Sequence, residues 1–450
     1  MMTKEQKLEW RSERNQNIKL HALQNHCLHL PPVDCAELMT KLTTDEKLQL
    51  LRMLPAKQAV DTFAEMSPNE QKQLLPEFTD TETKDTISQM AADDAADMLR
   101  KMPVSLVQNI LSRAEPEDRK YISQLLQYPE DSAGAIMTTG FISFAENMTV
   151  EKALAWIQQH GREHRDIYTA YIISAGGNLL GVVSLRDMLL SNPDTFLRDL
   201  MTQSMVKAYS TDDRERVFHL FARYDLTCIP VTDLENRLLG VITVDDAIDG
   251  MREETTEDFQ KMAATKPEEG TYLHTSVMQM VKNRFGWLLV LMISDLISGG
   301  IIGSFQGALT ALPVLITFIP MLTDTGGNAG SQSSTLVIRG MALHEIQMSD
   351  AWKVIWKELR VATCCGAGLA FVNFIRIYLQ YPGQSMVGLT VAIAMVFTVI
   401  MAKSIGGFLP ILAAWLKMDP AIMASPLITT IVDAGSLIIY FNVAHILLRL

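Results

Sequence analysis

Little in this sequence serves transition-metal or disulfide chemistry. Its five cysteines (Cys27, Cys35, Cys228, Cys364 and Cys365) show no metal-ligand spacing and no even framework, so reduced, buried thiols are expected. His21, His26, Cys27 and His29 cluster in "HALQNHCLHL", but no second cluster completes a tetrahedral site, and a surface helix or tail is the expectation. The first residues, "MMTKEQKLEWRSERNQN", are charged and lack the apolar stretch of a signal peptide, which predicts that the soluble part stays in the cytoplasm. Acidic residues are scarce late in the chain: from Thr271 onward 7 acidic side chains stand against 10 basic, net +3, whereas up to Gly270 there are 44 against 29, net −15. The average of 48 % hydrophobic and 20 % charged residues therefore conceals an acidic soluble part joined to an apolar, slightly basic one.

What the second part does contain is apolar runs of membrane length. A bilayer core of about 30 Å needs roughly 20 residues of helix. Five spans are predicted: Trp287 to Phe305, Leu309 to Leu336, Leu359 to Tyr381, Met386 to Leu409 and Pro426 to Leu448. Lys282 and Arg284 precede the first; Arg339, Lys353, Lys357 and Arg360 fall between the second and third; Lys417 falls between the fourth and fifth. The connections around Gln306 to Ala308 and Pro382 to Ser385 carry no Lys or Arg, so the N-terminal part is expected inside and the C-terminus outside.

Before the spans, two soluble patterns follow one another. Leu42, Leu54, Met66, Phe78, Met90, Met102, Ala114 and Leu126 recur every twelve residues, most of them followed by a Thr, Ser or Pro suited to starting a helix. Short stacked helices in a small solenoid, or a generic helical bundle, satisfy that period. After "SAGAIMTTGFISF" the order becomes helix, strand, strand, helix, twice: helices near Val150 to His160 and Arg214 to Tyr224, then "NLLGVVSLRD" and "RLLGVITVDD". These paired motifs resemble a tandem of CBS domains, which implies adenine-nucleotide binding or dimerising regulation, with Tyr168, Arg186 and Asp187 as candidate nucleotide contacts.

A continuous helical pattern, Val244 to Ala264, leads on to the first span. Asp246, Asp249, Glu253, Glu254, Glu257 and Asp258 fall at spacings of three and four, so several carboxylates share a face and repel by a few tenths of a kcal/mol per pair. A solvated acidic face is the expected explanation; the position of the helix between sensor and pore raises a cation-dependent switch as the alternative.

Carboxylates inside spans cost about 2.5 to 3.5 kcal/mol on insertion scales, which makes Asp295, Asp324 and Asp433 functional candidates. "TDTGGNAGSQSS" adds Asn328, Ser331 and Gln332 at the same depth, and irregular polar backbone is tolerated there only when buried in protein or lining water. Oxygen ligands without His or Cys suit a hard cation such as Mg²⁺ or Ca²⁺. For Asp295, an ion pair with Lys403 and a place on the ion path are the two readings, the pair being favoured.

With "PMLTDTGGNAGSQSSTLVIRG" and "DPAIMASPLITTIVDAG" in this order, nearly the whole chain resembles the MgtE family of magnesium channels and transporters. The resemblance implies a multidomain protein: an all-α helical-repeat domain (1–130), an α+β tandem CBS domain pair (131–250), an α-helical connector or plug (251–280) and a five-helix transmembrane domain (281–450). It implies a transporter and not an enzyme, a homodimer in the plasma membrane, Mg²⁺ as substrate and regulator, ATP as a further ligand, and no nucleic acid. Asp433 and Asn328 would line the pore, and Asp94, Asp97, Glu215, Asp225, Asp246, Asp249, Glu254, Glu257, Asp258 and Asp419 would sense intracellular Mg²⁺. The competing readings are a membrane-anchored adenine-nucleotide sensor and the same fold moving Co²⁺, Mn²⁺ or Ca²⁺.

Overall fold

The computed structural model describes residues 19–449 apart from 162, 163, 165, 268–271, 274, 344 and 424. The chain forms two compact units that divide between Arg252 and Glu253.

The first unit opens with eight short helices after a helical stretch at 19–27: α1 Pro32–Met39, α2 Thr44–Met53, α3 Ala56–Ala64, α4 Pro68–Leu74, α5 Asp80–Gln89, α6 Ala92–Arg100, α7 Val104–Arg113 and α8 Pro116–Leu125. From α2 onward each begins twelve residues after the last. The cause is local. Thr43 and Thr79 each accept the N–H of a Glu three residues on, and that Glu reaches back to the Thr N–H, so two orphan donors are satisfied at once. At the other end Leu54, Met90 and Ala114 leave the helix in extended conformation and turn their side chains inward. Each helix is too short to be stable alone, so burial of these stripes carries the array. The exposed His21, His26 and His29 accompany the stretch at 19–27, while Cys27 is buried against the core.

Two small α/β modules follow. In the first, β1 (Ile142–Ala145) pairs parallel with β2 (Thr169–Ile173), which pairs antiparallel with β3 (Leu179–Ser184), and α9 (Val150–His160), α10 (Leu185–Leu190) and α11 (Leu197–Leu200) complete it. The second repeats the order with β4 (Ala208–Tyr209), α12 (Arg214–Tyr224), β5 (Cys228–Thr232) and β6 (Leu238–Thr243). The shared Gly of "LLGVV" and "LLGVI" has a steric reason. A Cβ on Gly240 would lie 2.7 Å from the Thr138 carbonyl oxygen, and one on Gly181 would lie 3.0 Å from that of Thr202. A neighbouring backbone crosses each third strand there, and only glycine leaves it room. One core runs from the helical repeats through Phe218, Ile229 and Ile242 of the second module to Ala247. The last helix of this unit, α13 (Val244–Met262), continues past the division of the chain.

The second unit consists of α14 (Val277–Ser304), α15 (Gln306–Ala311), a 3₁₀ turn at Pro313–Phe318, α16 (Ile319–Ala342), α17 (Ala351–Gln380), α18 (Ser385–Trp415) and α19 (Ser425–Leu448). Among the described residues four stretches are long and apolar enough to cross a membrane: Val277–Ser304, Met348–Gln380, Ser385–Trp415 and Pro420–Leu448. The segment expected as a span from Leu309 to Leu336 is differently built. Its first part is α15 and the 3₁₀ turn, and the helix proper, α16, starts at Ile319 and ends at Ala342. Nor is the polar stretch irregular: "TDTGGNAGSQSS" is continuous α-helix. Its backbone groups bond along the helix, so the glycines serve packing instead of exposing carbonyls. Gly326 and Gly330 lie against Thr398, Val432, Ser436 and Ile428 of α18 and α19. At the tightest point a Cβ on Gly406 would stand 2.2 Å from the Gly330 carbonyl oxygen. Small residues let these helices approach to backbone contact, where dispersion is strongest.

One further expectation is corrected. Cys364 and Cys365 are exposed on α17, and Cys228 is half-buried, so of the five thiols only Cys27 and Cys35 are buried. Adjacent residues on a helix point about 100° apart, which leaves room for both on an outer face.

Candidate ion pathway and regulatory acids

Helix α16 has two faces of opposite character. Leu322, Gly326, Gly330, Ser333, Ser334 and Val337 are buried in the bundle, while Asp324, Asn328 and Gln332, spaced by four, form an exposed polar stripe. Asp433 of α19 is half-buried and lies within the electrostatic reach of Asp324 and of Asp295 on α14. Three carboxyls from three helices thus share one field. The expected Asp295–Lys403 ion pair does not form: Lys403 is buried and its Nζ donates to Ser333 Oγ at 3.3 Å. Asp295 faces the other acids because α14 packs along α19, away from the interior where Lys403 sits. Among the described residues no three His, Cys, Asp or Glu side chains converge on a single metal-sized point. The arrangement offers charge and neutral oxygens across a gap, which suits a cation that keeps its water shell.

The regulatory candidates fall into two groups. In the first unit Asp94 is half-buried on α6, and exposed Asp97 stands 3.9 Å from the Arg100 guanidinium. Glu215 lies in the first turn of α12, and Asp225 ends that helix in the left-handed conformation that Asp tolerates. Asp246 accepts the Thr243 hydroxyl at the start of α13, and Asp249 is exposed one turn on. Ser184 caps the helix that carries Asp187: its Oγ accepts the Asp187 N–H at 3.0 Å and donates to Asp187 Oδ2 at 2.6 Å. Tyr168 is brought beside Arg186 and Asp187 because the Leu185 N–H donates to the Tyr168 carbonyl at 2.7 Å.

In the second unit Glu254, Glu257 and Asp258 of α13 gather near Asp419, in the loop before α19. Sequence reasoning missed the residue that organises them. Lys261 pairs with Glu257 one turn back and donates to Asp419 Oδ2 at 2.6 Å. Although burial opposes it, Asp419 and Glu257 hold the ammonium above its ordinary range. Asp419 is bifunctional: its Oδ1 also accepts the Ala421 N–H at 2.8 Å, starting the 3₁₀ turn Pro420–Met423. The Met423 carbonyl in turn accepts the Ser334 hydroxyl of α16 at 3.0 Å. The only signal in the sequence was the Glu257–Lys261 spacing of four, which also describes an ordinary surface pair.

Asp258 gives this cluster a pH dependence. Burial first, then repulsion from Asp419, Glu254 and Glu257, pushes its carboxyl up to about 6, with Lys261 opposing. Asp258 therefore binds its proton more tightly when α13 lies beside Asp419 than when it is free, where 3.8 is ordinary. Docking strengthens as the pH falls from about 7 toward 4 and weakens as it rises through about 6. Spin labels at Glu253 and Met418 in a cysteine-free background should report a shorter distance at pH 5.5 than at pH 7.5, and Asp258→Asn should remove the difference. An unchanged pH response in that variant would exclude Asp258 as its origin.

Comparison with known proteins places these features. Residues 319–443 match the MgtE divalent cation transporter family, 30–131 the MgtE intracellular N domain, and 133–192 and 197–253 CBS domains. The magnesium transporter MgtE of Thermus thermophilus is 33 % identical over 351 residues, 78 % of each chain. That of Bacillus subtilis is 35 % identical over 338 residues, 74 % of this chain and 73 % of the relative. A crystal structure of the cytosolic domain of the Mg²⁺ channel MgtE in complex with ATP aligns with a TM-score of 0.51 at 30 % identity, covering 53 % of this chain and 98 % of that one. The family match covers the helix bearing the polar stripe, the helix bearing Asp433, both α/β modules and the helical repeats. The chain belongs to the MgtE family of divalent cation transporters.

Proposed function

We propose that the protein imports Mg²⁺ across the plasma membrane as a homodimer and is closed by intracellular Mg²⁺ acting on its acidic soluble part. The observation that carries this is the stripe Asp324, Asn328 and Gln332, exposed on a helix inside an apolar bundle and adjoined by Asp433 and Asp295. Lipid would leave those groups unsatisfied, whereas a water-filled path between two copies would not. On this reading α14, α16, α17, α18 and α19 are the five spans, with α16 crossing despite its polarity because 24 residues extend about 36 Å. The Lys and Arg distribution places the N-terminal part inside and the C-terminus outside. Domain limits at 1–130, 131–250, 251–280 and 281–450 follow, the third being a plug.

Mg²⁺ gives up water reluctantly, so Asp433 and Asn328 of each copy would hold the hydrated ion through its waters, discriminating by size and charge. Inside, Mg²⁺ is proposed to bridge Asp94, Asp97, Glu215, Asp225, Asp246, Asp249, Glu254, Glu257, Asp258 and Asp419, offsetting their repulsion and favouring the closed population. ATP would sit near Tyr168, Arg186 and Asp187, a reading supported by the ATP complex of the related cytosolic domain. The full-length protein in liposomes should conduct Mg²⁺ at low internal Mg²⁺. Influx should fall as internal Mg²⁺ rises through about 0.1 to 10 mM, the range of weak carboxylate sites. Uptake of Co²⁺, Mn²⁺ or Ca²⁺ in place of Mg²⁺ would change the substrate, and no cation flux at all from folded protein would leave a nucleotide sensor.

A further inference from the structure

Lys403 is an ammonium 7 % exposed inside an apolar bundle, and nothing in the pathway above uses it. Its Nζ donates to Ser333 Oγ at 3.3 Å, and that hydroxyl donates its own proton to Glu358 Oε2 at 2.5 Å. One buried hydroxyl thus accepts from a cation and donates to an anion, joining α18, α16 and α17. A buried charge is retained against its desolvation only when such partners hold it.

The place of Ser333 is informative. It directly follows Gln332 of the polar stripe and lies on the opposite, buried face of α16. The other ties of this helix fix different coordinates. Gly330 against Gly406 sets the distance to α18, and Ser334 on the Met423 carbonyl sets its height. A contact between two glycines has no side chain to key rotation, so the roll of the helix is keyed by side chains beside it. The Ser333 relay lies off that contact and is directional. We propose that Lys403 and Glu358 are positioning residues that act through Ser333 to set the roll of α16, and hence where Asp324 and Asn328 point. Side-chain tips lie about 6 Å from a helix axis, so a roll of about 20° moves Asn328 by about 2 Å, the width of its contact with a hydrated ion.

This inference rests on the pathway reading for its effect on transport but not for its geometry, and the test separates the two. In full-length protein with native cysteines replaced, Asn328→Cys is labelled by a water-soluble thiol reagent with and without Ser333→Ala. Ser333→Ala should change the labelling rate at least about fivefold and lower Mg²⁺ flux at least about tenfold. Its Tm should fall, since the Lys403 ammonium and the Glu358 carboxylate lose the hydroxyl between them, so labelling and flux are read at a temperature where the variant is still folded. Lys403→Met alone strands Glu358 and should lower Tm; adding Glu358→Met should restore Tm but not flux, because the charges are gone and the roll is still unset. Labelling within twofold of the parent in Ser333→Ala, or full flux in the double variant, would overturn the proposal. Altered labelling together with no Mg²⁺ flux from the cysteine-free protein that retains Asn328 would keep the positioning role and remove the transport reading instead.

Discussion

Asp433→Asn should reduce Mg²⁺ influx at least about 100-fold without unfolding the protein. The substitution keeps size and one carbonyl oxygen and removes a single charge from a half-buried position on α19. A divalent ion held through its waters about 5 Å from a carboxylate interacts with it by about 7 kcal/mol gross at an effective dielectric of 20. Desolvation offsets more than half, and a residual difference of about 3 kcal/mol corresponds to about 100-fold. The neighbouring Asp295 and Asp324 project from other helices, so neither restores the charge at the position of Asp433. The measurement is the initial influx rate into liposomes at matched reconstitution. A variant retaining more than a tenth of wild-type flux would remove Asp433 from the ion path.

The second large effect is structural. Gly406→Ala places a methyl group 2.2 Å from the Gly330 carbonyl oxygen, a backbone atom of a neighbouring helix that has no rotamer to escape into. The helices must separate, opening the contacts of Gly326 with Thr398 and of Gly330 with the Ala402 carbonyl along the same seam. Overpacking at such a point costs about 3 kcal/mol or more, which is about 6 to 12 °C in Tm for a unit of this size. Gly368→Ala is the control: a Cβ there meets no atom within 4 Å, and Tm should stay within about 2 °C. Equal stability of the two variants would mean that α16 and α18 do not pack at their glycines.

Local chemistry was well represented in the sequence. The twelve-residue period returned as helix starts at Thr44, Ala56, Pro68, Asp80, Ala92, Val104 and Pro116, because capping boxes and prolines act within four residues of where they stand. Helices at Val150–His160 and Arg214–Tyr224 and the repeated strand pairs were legible for the same reason. The polar stretch in α16 was misread as irregular because Gly, Asn and Ser are poor helix formers in water, whereas here tertiary packing outweighs propensity. The acids themselves were evident as types, but their partners were not.

By itself the sequence determined the family, the order of its domains, the acidic and apolar halves, and which ionisable residues interrupt the apolar stretches. These are properties of composition, short-range capping and hydrophobic length, and each is complete within a few tens of residues. Only the tertiary structure decided that Asp295 joins Asp433 and Asp324, that Lys403 meets Ser333 and Glu358, and that Lys261 spans Glu257 and Asp419. Most of those pairings join groups 25 to 158 positions apart in the chain. Which carboxylate faces which cation depends on helix crossing and roll, the first set by where glycine lets two backbones touch and the second by side chains that meet across the bundle.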